Sequence, residues 1–283
     1  MGKYFRKLSL ALDILLKKNY KRLLFRLRMR KNREGRYHNM KPIEKKTEFD
    51  GFAHGYSGEI EDPLKRLFGE NLDQFIYVKA KWLWNYLTRS QGKISLDKDY
   101  HLLDYGCGTG EMLKWLKRFG FPGYVHGADV SQAMLEEAEK RWDASQKPLL
   151  SCIGETKTDF ANNSFSCILA TCVFHHIEPD KRDAVLREIK RILVPGGILV
   201  VFEHNPFNPL TRLIFKRAVI DKHAVLLYPK EIRDRYHKAS FLNCKFEYIM
   251  FFPPNMKSFQ RVEQYLRWCP LGAQYVAVAE KLL

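Results

Sequence analysis

With 283 residues, 46% of them hydrophobic and 28% charged, the chain has the balance of a folded protein built around one large domain, which excludes pervasive disorder and collagen-like or low-complexity structure. No apolar run approaches the roughly 18–20 residues needed to span a bilayer, and the longest one near the N-terminus, Leu8 to Leu16, is interrupted by Asp13. The net charge of +16 is localised: residues 1–46 hold 16 Lys/Arg against 3 Asp/Glu, which leaves only +3 on the rest.

From Lys3 to Arg36, Leu8, Leu12, Leu15, Tyr20, Leu23 and Leu27 recur at helical spacing between Lys17, Lys18, Lys21, Arg22, Arg26 and Arg28. This pattern predicts a basic amphipathic helix over residues 1–36, suited either to the plane of an anionic membrane or to packing on protein. Nucleic acid ranks lower as its partner, because few aromatics interleave with the charges. Arg33 to Lys46, broken by Gly and Pro, reads as a linker. The six cysteines contain no C-x-x-C pair and the N-terminus shows no secretory signal, so reduced thiols and a cytoplasmic location, peripheral on the inner membrane surface, are the expectation.

Short helices are expected over 47–92, the clearest from Leu72 to Thr88. Strands and helices then alternate. His101–Tyr105 is a strand, Gly110–Arg118 a helix, Tyr124–Asp129 a strand, and Ser131–Ala144 a helix with Ser131 as its N-cap. Leu149–Ile153 and Phe165–Cys172 are strands, Asp180–Leu193 is a helix and Ile198–Phe202 a strand. Repeated β-α units with apolar strands argue for a mostly parallel sheet covered on both faces. After Glu203 the alternation fails, with an irregular stretch before a helix from Pro229 to Ser240 and two later strands near Phe246–Phe252 and Tyr275–Ala279. The chain thus divides into a basic helix and linker (1–46), a helical cap (47–100) and an α/β domain (101–283) with a lid segment at about 205–240.

The chemistry concentrates in L-L-D-Y-G-C-G-T-G, residues 102–110, where a strand runs into a glycine turn that opens a helix. A dinucleotide fingerprint would need glycine at 111, where Glu111 stands. Asp104, two residues before the first glycine, would repel a pyrophosphate but attract a cation. A positively charged, adenosine-containing ligand fits this string better than NAD.

From about residue 49 to the end, the sequence resembles the class I S-adenosylmethionine-dependent methyltransferases. Asp104, Gly106, Cys107, Gly108 and Gly110 match the motif that surrounds the methionine part of the cofactor. Asp129, in H-G-A-D-V-S, matches the acid that holds the ribose hydroxyls, a role a carboxylate suits. The resemblance further implies that Val130 and Met134 line the adenine, that Glu155 lies near its amino group, and that Thr171 of the fourth-strand motif joins the site. L-V-P-G-G-I-L-V-V (193–201) matches the turn before the fifth strand. The family fold is a Rossmann-like, doubly wound, mostly parallel sheet with an antiparallel C-terminal edge strand, preceded by N-terminal helices.

F-D-G-F-A-H-G-Y (49–56) resembles openings that fold over the cofactor, with Ser57 in place of the usual final Asp, and Tyr56 and His223 are candidate lid residues. F-E-H-N-P-F-N-P-L-T (202–211) resembles bacterial methyltransferases associated with cell-surface glycan synthesis.

Active sites of α/β folds gather at the carboxyl ends of strands. His204 is therefore the first candidate for a general base, followed by His176 and Glu203. No metal site is expected, because His175 and His176 are adjacent and no carboxylate pair completes a triad. The expected function is O-methylation of a glycan, a glycan precursor or a polar metabolite. The alternatives are methylation of a lipidic or quinone acceptor, or a membrane-recruited cofactor-binding module without turnover. RNA methylation is disfavoured by the nearly neutral body and by the absence of an N-P-P-Y-type tetrad.

Overall fold

The computed structural model describes residues 47–53, 72–89, 96–142, 147–253, 256 and 259–282. The expected basic helix of residues 1–36 and the helix expected from Pro63 to Gly69 lie outside them.

Seven strands form one sheet in the order β3-β2-β1-β4-β5-β7-β6, with β1 His101–Tyr105, β2 Tyr124–Asp129, β3 Leu149–Cys152, β4 Phe165–Thr171, β5 Leu193–His204, β6 Phe241–Ile249 and β7 Gln274–Lys281. β1 to β5 pair in parallel, whereas β7 pairs antiparallel with both β5 and β6. The fold is the α/β Rossmann-like methyltransferase architecture. Its last strand inserts between β5 and β6, which leaves β6 at the edge.

The helices follow in chain order: α1 Leu72–Arg89, α2 Glu111–Arg118, α3 Gln132–Lys140, α4 Arg182–Ile192, α5 Pro209–Arg217, α6 Pro229–Lys238 and α7 Gln260–Leu266. Side chains alternate across the sheet as the period of two requires. Leu103, Ile168, Leu199 and Val201 pack on one face with Val185, Leu186 and Ile189 of α4 and Ile232 and Tyr236 of α6. Leu102, Leu169, Val200 and Phe202 pack on the other with Leu83 and Leu87 of α1 and Leu113 and Leu116 of α2. Apolar on both faces, the central strands lie between two cores.

Two departures from the sequence expectation matter for the site. β5 begins at Leu193 rather than Ile198, with a register shift against β4. The stretch after Glu203 is not irregular throughout, because it contains α5. Asn208 caps this helix by accepting a hydrogen bond from the Thr211 amide, and Pro209 occupies its first turn, where a missing N–H costs nothing.

Candidate active site

The carboxyl ends of β1, β2, β4 and β5 open into a cavity of about 720 Å³. Asp104, Gly106, Cys107, Gly108, Asp129, Val130, Met134, Glu155 and Thr171 line it, so the structure brings these residues together as the sequence implied. Gly110 lies just beyond, as the N-cap of α2.

The turn after β1 works through its glycines. Gly106 and Gly108 have φ of +76° and +51°, and a Cβ on Gly106 would lie 2.5 Å from Val173. The amides of the turn point inward: Gly106 and Cys107 donate to the Ala128 carbonyl at 2.7 and 3.0 Å, and Gly110 donates to Cys107 O at 2.9 Å. The Gly108 amide donates to Asp129 Oδ2 at 2.8 Å. With these donors engaged and two carboxylates beside them, the turn is not a cradle for phosphate. It favours a cation.

The orphaned polar atoms around the cavity match a ligand that carries N–H and O–H donors. Asp104 Oδ1, Thr171 Oγ1, Tyr105 Oη and Gln274 Oε1 are buried cavity-lining groups without a hydrogen-bond partner among the described residues. Burial, reinforced by the Asp129 charge and opposed by Lys79, raises the Asp104 pKa to about 7. Burial likewise pushes Asp129 up, against the hydrogen bonds it accepts from the Ser131, Gly108 and Val130 amides. Three amides on about four lone-pair sites leave Asp129 one site for a diol hydroxyl. A cationic ligand would relieve both strained carboxylates, so the residues fit S-adenosylmethionine.

The roof comes from the N-terminal segment. Ser131 caps α3 and donates to Asp50 Oδ1 at 2.5 Å, and Phe49 packs edge-on against His176 with ring centroids 5.0 Å apart. Glu155 lies at the rim, where Lys181 holds its carboxylate at 2.9 Å. The implied approach of Glu155 to an adenine amino group therefore competes with an ion pair.

The far half of the cavity gathers Phe174–His176, a 3-10 turn after β4, and Val219–Asp221, a 3-10 turn after α5. His175 Nδ1 lies 2.6 Å from Glu203 Oε2, while Glu203 Oε1 accepts the Phe174 and His175 amides at 2.8 and 3.3 Å. This corrects the expectation for Glu203: it is 1% exposed, does not line the cavity and has both oxygens engaged, so it positions His175 rather than acting as a base. Burial disfavours the charged form of His175, but Glu203 and Asp221 outweigh it and raise its pKa to about 10. Burial and the neighbouring His175 charge lower the His176 pKa to about 4. His176 and His204 line the cavity, and His204 packs against His175 and Phe215 with ring centroids 5.1 and 5.7 Å away.

Two residues escaped the sequence reading. Lys79, 5% exposed, reaches from α1 to the Cys172 thiol at 3.8 Å and lines the cavity. Its signal was hidden because a lysine in an amphipathic helix normally faces solvent. Asp221 lies 3.5 Å from the Nε2 atoms of both His175 and His176, brought there by the segment whose order the sequence did not show. His223 also lines the cavity, whereas Tyr56 lies outside the described residues.

Comparison with known proteins agrees with this geometry. A family model described as a methyltransferase domain matches residues 103–201. The demethylmenaquinone methyltransferase of Lactiplantibacillus plantarum is 32% identical over 178 residues, 61% of this chain and 73% of that protein. The chain belongs to the class I S-adenosylmethionine-dependent methyltransferases. Within this family, an uncharacterized methyltransferase of Bacillus subtilis is 32% identical over 119 residues, 42% of this chain and 49% of that protein. The chain spans about half the length of several curated methyltransferases it matches. Among solved structures, a methyltransferase of Thermotoga maritima shares the fold, with a TM-score of 0.57 and 20% identity over 82% of this chain and 98% of that one.

Proposed function

We propose that the protein transfers a methyl group from S-adenosylmethionine to an oxygen-bearing acceptor with an apolar body, of the hydroxylated aromatic or quinone kind. The observation that carries this reading is the composition of the far half of the cavity. Leu210, Ile214, Phe215, Ile220, Met250 and Phe251 wall it, a cluster of His176, His204 and Asp221 faces them, and Asn208, Thr211, His223 and Gln274 complete the polar lining. An apolar wall with a few convergent polar groups suits a ligand with one polar end. A glycan, the first expectation from the sequence, would place many of its hydroxyls against this hydrocarbon wall. The quinone alternative is also supported by the demethylmenaquinone methyltransferase among the relatives.

When bound, the cofactor supplies an electrophilic methyl carbon on a positively charged sulfur. Asp104 and Asp129 hold the cationic and diol ends, Lys79 is placed to meet a carboxylate, and the aromatic and aliphatic wall excludes water. His204, facing the cavity beside the polar cluster, is the residue placed to take the acceptor proton. Glu203 keeps the His175 ring fixed behind it.

The same segment that walls the cavity also exposes Phe207, Leu213 and Val219 at 51%, 48% and 67%. Together with the charge of residues 1–46, this supports a cytoplasmic protein that rests peripherally on an anionic membrane, where an apolar acceptor would be dissolved. Incubating the purified protein with methyl-labelled cofactor and fractionated cell extract tests the acceptor class. Label in the lipid extract is the expected result, and label confined to glycan or RNA would refute it. Deleting residues 1–36 should abolish sedimentation with anionic vesicles while sparing cofactor binding, and raised salt should weaken that sedimentation.

A further inference from the structure

We propose that His175, His176 and Asp221 form a binding site for one divalent transition-metal ion, which holds an oxygen of the acceptor. The second half of this statement deepens the function proposed above; the site itself stands on geometry alone. His175 Nε2 and His176 Nε2 each lie 3.5 Å from Asp221 Oδ1, and one ligand atom from each residue falls within 4.8 Å of the others. A tetrahedral ion with bonds of about 2.0–2.1 Å separates its ligand atoms by about 3.4 Å. The cluster is therefore close to coordination spacing before any ion enters.

The surroundings resemble those of a metal ligand set more than those of an incidental ion pair. Glu203 engages His175 Nδ1 at 2.6 Å, which leaves Nε2 directed at the site. A carboxylate on the distal nitrogen of a ligating histidine fixes its tautomer and ring orientation. Both ligand-bearing turns are also fastened to one another. Arg182, 1% exposed, donates to Phe174 O and Ile177 O on the histidine side at 3.0 and 2.9 Å, and to Val225 O beyond the aspartate turn at 2.9 Å. The Val225 amide in turn donates to His175 O at 2.8 Å.

Charge gives an independent reason. Glu203 and Asp221 are buried carboxylates, 1% and 7% exposed, that converge on a single imidazole. A divalent cation on neutral histidines balances both. Two imidazoles with one carboxylate suit zinc, iron or cobalt and do not suit magnesium or calcium, which prefer all-oxygen shells. All three ligands line the cavity, so the open coordination position faces the acceptor half, beside His204. An acceptor O–H bound there would give its proton to His204 and keep the electron pair on oxygen, which forms the new bond to the methyl carbon as the sulfur–methyl bond breaks and leaves its pair on the sulfur of departing S-adenosylhomocysteine.

The test uses the untagged full-length chain, stripped with chelator and then titrated with Co(II) and, by equilibrium dialysis, with Zn(II). The proposal expects one ion per chain at micromolar concentration, with cobalt absorption bands that zinc abolishes. His176→Ala and Asp221→Ala should each weaken binding at least a hundredfold, and Glu203→Gln by about 10- to 100-fold. Thermal melts confirm that each variant is folded; because His176 lies at the cavity wall, its variant serves if Asp221→Ala does not fold. A wild-type chain that retains no ion, or variants that bind as wild type does, overturns the site and leaves His175 as a proton-bearing residue between two carboxylates. Calorimetry with S-adenosylmethionine on the same samples separates the two readings. Cofactor binding by a chain that takes up no metal in the titrations overturns the site alone, and metal binding without cofactor binding or methyl transfer supports the site while overturning the function proposed above.

Discussion

Replacing Arg182 by leucine should destabilise the protein by about 3–5 kcal/mol, a loss that can be traced atom by atom. The guanidinium donates to Phe174 O, Ile177 O, Val225 O and Glu231 Oε1 at 2.9–3.0 Å. Two of these acceptors have other partners: Phe174 O keeps the Ile177 amide, and Glu231 keeps Arg235 at 3.0 Å. The carbonyls of Ile177 and Val225 lose the guanidinium outright, at about 1–3 kcal/mol for each buried group left unmatched. Glu231 is about a third exposed and keeps Arg235, so it adds little, and the two carbonyls carry about 2–6 kcal/mol between them, centred on the range given above. For a chain of this size the melting temperature should fall by roughly 8–15 °C, measured by circular dichroism or calorimetry. Arg182→Lys should recover only part of the loss, because an ammonium cannot reach all four acceptors as the planar fork does. A fall of less than about 2 °C in the leucine variant would refute the assignment of Arg182 as the tie between the two turns. Affinity for S-adenosylhomocysteine, measured well below the melt, should change little, since Arg182 lies on the acceptor side.

Other outcomes are expected from the same structure. Asp129→Ala removes the diol acceptor and the partner of the Gly108 amide, and should weaken S-adenosylmethionine binding by roughly 10- to 150-fold in calorimetry; unchanged affinity would sink the cofactor assignment, and NAD should not compete. Asp104, with Asp129 and Lys79 as the charged groups that act on it, has a pKa raised to about 7, so its charged form and the affinity for a cationic cofactor should increase as pH rises from 6 to 8. The raised value also means that the contribution of Asp104 itself to apo-protein stability falls as pH rises from 3.8 to about 7, against the larger opposite trend of His101 and His126; Asp104→Asn should flatten the affinity profile and remove that contribution, and a variant that keeps the wild-type profiles would exclude Asp104. Burial lowers the pKa of His101 to about 4 and of His126 to about 3, so the unfolded chain takes up protons first as pH falls below 6.5. Urea midpoints should decline between pH 6.5 and 4, less steeply in His126→Leu. His204→Ala should lower turnover by about 100- to 10,000-fold while cofactor affinity stays near wild type, and activity within a factor of two would remove it from the mechanism.

The cofactor half was legible because its residues are close in sequence to the strands that carry them. His101–Tyr105 and Tyr124–Asp129 emerged with the expected bounds, and Ser131 caps its helix as the Ser before an apolar-periodic run implies. The acceptor half was less legible, because its groups meet only through tertiary structure. Asp221 is 45 positions from His176 and sits in a 3-10 turn with no periodic pattern to mark it. The helix α5 was missed although Asn208-Pro209 is a cap signal, since Pro206 and Pro209 together read as breakers. Glu203 looked like a base at a strand end because nothing local reveals that two amides and an imidazole already occupy it. The insertion of β7 between β5 and β6 depends on pairing across the sheet, which no single segment records.

The bond between Ser131 and Asp50 bears on how quickly the protein can exchange its cofactor. The Ser131 hydroxyl donates its proton to Asp50 and uses a lone pair for the Met134 amide, so the Ser131 part of the α3 cap survives when the roof lifts, while the Ala133 amide loses its bond to Asp50. Parting of Asp50 from α3 gives up two hydrogen bonds to a charged group, from Ser131 and from the Ala133 amide, worth about 1.5–3 kcal/mol each, and the edge contact of Phe49 with His176. An obstacle of that size slows departure of the spent nucleoside by roughly two to four powers of ten. Ser131 thus works as a latch that keeps its own hold on the floor when it opens.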